Sequence, residues 1–359
     1  MVKEKIFIDG LMHLGDIIIT SSAIREIKKM RPDSEITYFS TGNMRDVVSL
    51  LPDADHFIPY DYVSKGGVKQ AFQIASRLRR EHFDTGISLD PRERVTLIKW
   101  LARIPVRISA ERALGWELKW ERLFYTDDLP LDGWDYHEHR MAESFYEIFR
   151  RYFHDTDGTY LPPVLNPSDK ADLDAVETLL QEAFRKQGIR PANRAAFCVQ
   201  TTNGRKDWRP ERFAELADRL VETYGAAIVL TGIPAHAGRV RQVISRMKHK
   251  EYAVDLIGKT TFKQAVALCR RVNLYVTLDT GNTHIAAAAG CPVVTLFSYN
   301  SPSIYGGSSE NCRTVSACLP CSGKHICIGP HKCPKTDCFD FITVDMVWQA
   351  IQSLDFRPR

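Results

Sequence analysis

The chain has 359 residues, 44% of them hydrophobic and 26% charged, with a formal net charge of +4. That length is long for one core and suits two domains, and the composition is that of a folded globular chain. The mild positive charge lacks the dense basic stripe that nucleic-acid binding leaves. No stretch has the apolar length to span a bilayer, and Met1–Asp9 lacks the apolar core of a signal peptide, so a cytoplasmic location is expected.

The first half predicts strands at Lys5–Asp9, Glu35–Ser40, Asp84–Leu89 and Val106–Ser109. Helices fall between them at Asp16–Met30, around Val68–His82 and near Val95–Ala102. Such alternation implies parallel sheets with crossover helices. A polar helix near Glu138–Phe153 leads to Tyr160-Leu161-Pro162-Pro163 and Asn166-Pro167-Ser168, the best linker signal in the chain. The pattern then restarts, with strands at Ala195–Gln200 and Ala226–Thr231 and helices at Pro210–Thr223, Ala235–Met247 and Lys263–Arg271. The expected layout is an N-terminal α/β domain over 1–165 and a second over 166–340 with a Cys-rich loop at 312–338. A terminal helix in 341–359 is left free to pack back on the N-terminal domain.

The most informative stretch is Leu274–Phe297. It reads as an apolar strand, the turn Asp279-Thr280-Gly281-Asn282-Thr283-His284, a short Ala-rich helix, and a second strand opened by Gly290-Cys291-Pro292. A helix start at the end of a buried strand is where doubly wound proteins bind phosphate, because the first backbone N–H groups are unpaired and the dipole favours negative charge. Gly281 allows an unusual backbone and close approach of a ligand, and Asn282 or Thr283 can cap the helix. The bland alternative is an ordinary strand-to-helix turn with a good cap.

Three segments, in the right order, resemble one family. DTGNTHIAAAAGCPVVTLF is similar to the signature of the bacterial lipopolysaccharide heptosyltransferases, glycosyltransferase family 9. LMHLGDIIITSSAIREIKKMRPDSEITYFS is similar to that family's opening strand, Gly-Asp turn and first helix, with Ser22 where a proline is usual. CVQTTNGRKDWRPERFAELADRL is similar to the opening of its donor domain, whereas 100–165 is not recognisable. The resemblance implies the GT-B architecture, two Rossmann-like doubly wound domains facing a cleft. It further implies inverting, metal-independent transfer of a heptose from an ADP-heptose-like nucleotide sugar to a lipopolysaccharide core or related glycan. Alternatives are another nucleotide sugar or a protein acceptor, a GT-B sugar-nucleotide epimerase, or an inactive metal-binding relative. The retained Asp16, Lys206 and Asp279 speak for an active transferase.

An inverting transfer needs a base for the acceptor hydroxyl, and the resemblance places it at Asp16. A helix N-terminus lowers a carboxylate's pKa, so the site must desolvate Asp16 to make it a useful base, and the alternative is that Asp16 only caps its helix. His13 is a rival base or an acceptor contact. Thr201, Thr202 and Lys206 offer hydroxyls and an ammonium group to a diphosphate and its developing charge, replacing a divalent cation. Lys206 is otherwise an exposed loop charge, and Arg205 is a substitute for it. The resemblance implies that Asp279 contacts sugar hydroxyls and that Thr280 and Gly281 present N–H groups to phosphate. His284, one turn into the helix, reaches the same site or is simply buried. Gly232 suits base or ribose contacts, and Trp208 reads more safely as packing. Asp53-Ala54-Asp55, Asp155-Thr156-Asp157 and Asp172-Leu173-Asp174 match the letters of a metal-binding Asp-x-Asp without its context.

Cys198, Cys269 and Cys291 sit in apolar contexts and read as buried. Cys312, Cys318, Cys321, Cys327, Cys333 and Cys338 crowd into one loop, and Cys318-Leu-Pro-Cys321 is a true C-x-x-C. Cys318, Cys321, Cys327 and Cys338 are the candidate ligands of a structural zinc or iron, against free thiols or redox chemistry. No cofactor is expected for catalysis. Acceptor recognition is expected from the arginine-rich first half, chiefly Arg92 and Arg94, for an anionic glycolipid or glycan. Trp116, Trp120, Leu123 and Phe124 fall near one face of a helical reading of Leu114–Phe124. That stripe is either core or a peripheral contact with the cytoplasmic face of the inner membrane.

Overall fold

The computed structural model describes residues 3–10, 13–60, 67–89, 93–110, 120–129, 133–135, 137–202, 204–298, 300–317 and 338–354. The chain divides into two compact units, Met1–Leu165 and Asn166–Arg359. The first contains β1 (Lys5–Asp9), α1 (Leu14–Met30), β2 (Glu35–Thr41), α2 (Arg45–Val48), β3 (His56–Tyr60) and α3 (Gly67–Glu81). It continues with β4 (Thr85–Ser88), α4 (Glu93–Leu101), β5 (Val106–Ser109), the two-residue β6 (Asp127–Asp128) and α5 (Met141–Tyr152). All pairs are parallel, in the order β3-β2-β1-β4-β5-β6. Central β1 is buried from Ile6 to Asp9, as expected of a strand covered on both faces. Phe7, Phe39 and Phe83 pack with Ala71, Ala75 and Leu78 of α3 and Val95 and Ile98 of α4. Outside that cluster α1 pairs with α5.

Gly10 follows β1 where there is no room for a side chain: a Cβ would lie 1.7 Å from the Tyr38 hydroxyl oxygen. That oxygen is 3.0 Å from Thr20 Oγ1 on α1, so the start of the loop that carries Asp16 is held from below. Ser22 donates through Oγ to the Leu161 carbonyl at 2.5 Å, and Arg25 donates to the Pro162 carbonyl. The proline-rich linker is thereby tied to α1.

The second unit contains α6 (Lys170–Gln187), β7 (Asn193–Cys198), α7 (Pro210–Tyr224), β8 (Ala226–Thr231), α8 (Ala237–Arg246), β9 (Ala253–Asp255) and α9 (Phe262–Cys269). β10 (Leu274–Leu278), α10 (Gly281–Ala288), β11 (Val293–Phe297), α11 (Pro302–Tyr305), β12 (Cys312–Ser316) and α12 (Val344–Gln352) follow. Its parallel sheet runs β12-β11-β10-β7-β8-β9. Trp208 is fully buried, its ring 5.0 Å from Phe213 and its Nε1–H donating to the Ile342 carbonyl at 2.9 Å, so packing is its role.

Val344, Val347, Trp348 and Ile351 of α12 are buried in the second unit's core. Two expectations change. Cys312, counted with the loop cysteines, is a buried residue of β12, paired in register with Val293. The cap of α10 is neither Asn282 nor Thr283 but Thr280, whose hydroxyl accepts from the Asn282 N–H at 3.3 Å.

Candidate active site

In an open parallel sheet, the loops after two neighbouring strands diverge where the strand order reverses, and ligands bind there beyond the carboxyl ends. In the second unit this point lies between β10 and β7. The loop after β7 folds back because the Thr201 N–H donates to Asp207 Oδ1 at 2.8 Å. Thr201 is buried and Thr202 beside it is exposed. The short helical turn Gly204–Lys206 then sends the Lys206 ammonium to Asp279 Oδ2 at 2.6 Å. From the loop after β11, Asn300 Nδ2 donates to the same carboxylate oxygen at 2.6 Å. Two loops thus converge on Asp279, which stands just before the N-cap of α10.

Below that point the turn rests on hydroxyls. Thr283 Oγ1 is 3.1 Å from Thr295 Oγ1, and Thr277 Oγ1 is 3.4 Å from Thr280 Oγ1. Asn282 Nδ2 donates to Cys198 Sγ at 3.1 Å, and burial pushes that thiol's pKa up, so Cys198 is an inert packing group. Gly281 is the first residue of α10 and therefore has ordinary helical backbone, correcting the expectation of an unusual one. His284 is half-buried, and desolvation pulls its pKa down to about 4 against the opposing pull of Asp279. At neutral pH it is therefore a neutral imidazole. Gly232, ending β8, has φ +147 and lies so close to His236 that a Cβ would stand 2.7 Å from Nδ1. His236 Nδ1 is buried and has no hydrogen-bond partner among the described residues.

In the first unit the strand order reverses between β1 and β4. His13 is exposed at the N-cap of α1 and makes no side-chain cap bond, while Asp16 is half-buried in the first turn. Asp16 is therefore not at the capping position. Arg94 donates to Gln70 Oε1 at 3.1 Å, and Arg92 lies outside the described residues. Sequence reasoning missed a buried group at this edge: the Lys99 ammonium is 2.6 Å from Asp9 Oδ2 and donates to Ser88 Oγ, tying α4 to the ends of β1 and β4. It likewise missed Asn300 and Asp207, since no local pattern marks an amide or carboxylate that acts across loops.

The Asp-x-Asp sequences are engaged elsewhere. Asp55 pairs with Lys28 at 2.9 Å and accepts from the Ile36 N–H, and Asp155 and Asp157 flank Lys29 at 2.7 and 2.9 Å. Of the candidate metal ligands, Cys318, Cys321 and Cys327 lie outside the described residues, and Cys338 is half-buried at the start of a short helical turn.

Residues 71–327 match glycosyltransferase family 9 (heptosyltransferase). The chain belongs to that family. This glycosyltransferase is 26% identical to lipopolysaccharide heptosyltransferase 2 of Salmonella typhimurium over 319 residues, which cover 87% of each chain. A family 9 structure from Veillonella parvula superposes with a TM-score of 0.81 at 23% identity, covering 98% of both chains. The ADP-heptose lipopolysaccharide heptosyltransferase II of Escherichia coli gives a TM-score of 0.75 at 20% identity, covering 97% of this chain and 98% of that one. An iron-containing dodecameric glycosyltransferase, TibC of enterotoxigenic E. coli, is more distant, with a TM-score of 0.56 at 14% identity over 98% of this chain and 76% of that one. The fold is GT-B: two Rossmann-like doubly wound units in tandem. No helix among the described residues is long and apolar enough to cross a membrane.

Proposed function

We propose that this enzyme transfers a heptose, with inversion and without a catalytic metal, from an ADP-heptose-like donor to a lipopolysaccharide core or related anionic glycan. The observation that carries the donor half is the convergence of Lys206 and Asn300 on Asp279 before the N-terminus of α10. Lys206 and the helix N–H groups bind the diphosphate and stabilise it as it leaves, the work a divalent cation does in other transferases. Thr201 and Thr202 add hydroxyls, Asp279 and neutral His284 face the sugar, and Thr280 and Gly281 supply backbone donors. In the first unit Asp16 takes the acceptor proton, and His13, Arg92 and Arg94 bind the anionic acceptor. The names of the Salmonella and E. coli relatives support the acceptor and donor classes. The enzyme works as a peripheral protein at the cytoplasmic face of the inner membrane. Thiolates of Cys318, Cys321, Cys327 and Cys338 suit a structural zinc or iron.

Incubation with an acceptor and ADP-heptose, UDP-sugars or GDP-sugars in excess chelator tests the reading. A heptosylated product of inverted anomeric configuration is expected with ADP-heptose alone. Dependence on magnesium or manganese would overturn the metal-independent route, and transfer from another nucleotide sugar would overturn the donor. Asp16→Asn should lower turnover by about 10²- to 10⁴-fold and leave donor affinity within roughly threefold. Near-normal turnover would remove Asp16 from the mechanism.

A further inference from the structure

Between α3, α4 and the start of β5 lies an open cavity of about 670 Å³. Its walls carry Phe72 and Trp100, which are 55% and 47% exposed, and its rim carries Arg79 and Arg103. The aromatic surface continues beyond it: Trp100 packs edge-on to Phe124 at 5.4 Å, and Phe124 to Trp120 at 5.7 Å. Trp120 is 46% exposed and Leu123, in the same helical turn, 83%. All four exposed large hydrophobic residues of the described first unit therefore lie on one continuous face. Isolated exposed apolar residues are ordinary, but a contiguous patch marks a binding surface.

The charge on this face indicates what binds. Among the described residues Arg79 and Arg103 are exposed and form no salt bridge, and none of those lining the cavity is a carboxylate. The third arginine, Arg107, is turned inward, donating through Nε to the Phe124 carbonyl and through Nη1 to the Ile104 carbonyl, both at 2.5 Å. It builds the wall and leaves the other two guanidinium groups to solvent. Tryptophan and phenylalanine flanked by unpaired arginines suit the interface of an anionic bilayer, where rings sit at headgroup depth and guanidinium forks meet lipid phosphate. The face belongs to the helical layer over α3 and α4 and to the edge where β5 begins. It leaves the carboxyl edge of the sheet, where Asp16 lies, uncovered.

We propose that this face, carried by Phe72, Trp100, Trp120, Leu123, Arg79 and Arg103, docks the enzyme on an anionic phospholipid bilayer. The inference deepens the peripheral location proposed above and rests on that reading for its purpose, which is to bring the active site to a lipid-anchored acceptor. Full-length protein should sediment with phosphatidylethanolamine–phosphatidylglycerol vesicles, far less with phosphatidylcholine vesicles, and be partly released by salt. Arg79→Glu with Arg103→Glu should lower vesicle partitioning at least tenfold, and Phe72→Ser, on the exposed face of α3, should lower it severalfold. Both variants should keep wild-type ADP affinity and turnover on a water-soluble, deacylated acceptor. Equal binding to neutral vesicles, unchanged partitioning of the charge-reversed variant, or a dimer that the same substitutions dissolve would each overturn the docking surface. Failure of the wild type to transfer heptose to the soluble acceptor would instead overturn the proposed function.

Discussion

Asp279 accepts from both Lys206 and Asn300 through one oxygen, Oδ2, which leaves the lysine oriented but not consumed by a buried pair. Both side chains keep some exposure, 17% for Lys206 and 12% for Asp279, so a diphosphate can compete for the ammonium. A charge-assisted contact of this kind contributes about 1.5–3 kcal/mol. Lys206→Ala should therefore weaken ADP binding roughly tenfold to a hundredfold by calorimetry. Asp279→Asn should hold ADP at least as well, because it removes a negative charge from the phosphate site, while losing transfer through the sugar. Equal loss of ADP affinity in the two variants would show that the pair is only a structural strut. Lys206 and Asp279 were each readable in the sequence from their loops; their contact across 73 residues was not, because local pattern carries no information about which loops meet. Asn300 was invisible for the same reason.

At the scale of elements, α1 does two jobs. Its first turn presents Asp16, and farther along it buries Glu26 completely against α5. Desolvation lifts the Glu26 pKa to about 7, opposed by Lys29 and Arg150 and assisted by Asp155. Between about pH 4.5 and about 7 the folded state keeps a proton that the unfolded chain has released, so stability falls as pH rises through that window. The shift corresponds to something on the order of 3 kcal/mol. Glu26→Gln should leave the melting temperature almost unchanged at pH 4.5 and raise it by several degrees at pH 8. An equal change at both pH values would mean that Glu26 is already ionised in the fold. Most elements were legible because buried parallel strands and amphipathic helices repeat with clear periods. β3 was missed because the exposed Pro59 breaks its apolar run, and α6 because few of its positions are buried. The ends of α3, α4 and α5 fall within one residue of the expected His82, Ala102 and Phe153, although the left-handed residues that follow them, His82, Arg103 and His154, are not the glycine that ordinarily signals such a stop.

For the molecule as a whole, the two sheets repeat one plan, and each places its strand-order reversal beneath the loops that carry the candidate site residues. The Cys-rich segment is the part that the plan does not require. With Cys312 buried in β12, five cysteines remain between β12 and α12, one more than a tetrahedral site needs. A polar loop of that length, broken by glycine and proline and poor in apolar residues, has too little side-chain mass to form a core of its own. Its two ends are fixed: β12 joins the sheet, and Arg209 holds Asp340 through two bonds of 2.5 and 2.6 Å. A metal clip across those ends would order the loop as zinc orders a small finger. Elemental analysis of protein purified without an affinity tag should then find about one zinc or iron per chain. Cys318→Ser with Cys321→Ser should remove that metal and lower the melting temperature, while ADP affinity stays near wild type because Lys206 and α10 lie on other loops. Metal-free protein with unchanged stability would show that the cysteines are free thiols or paired with one another.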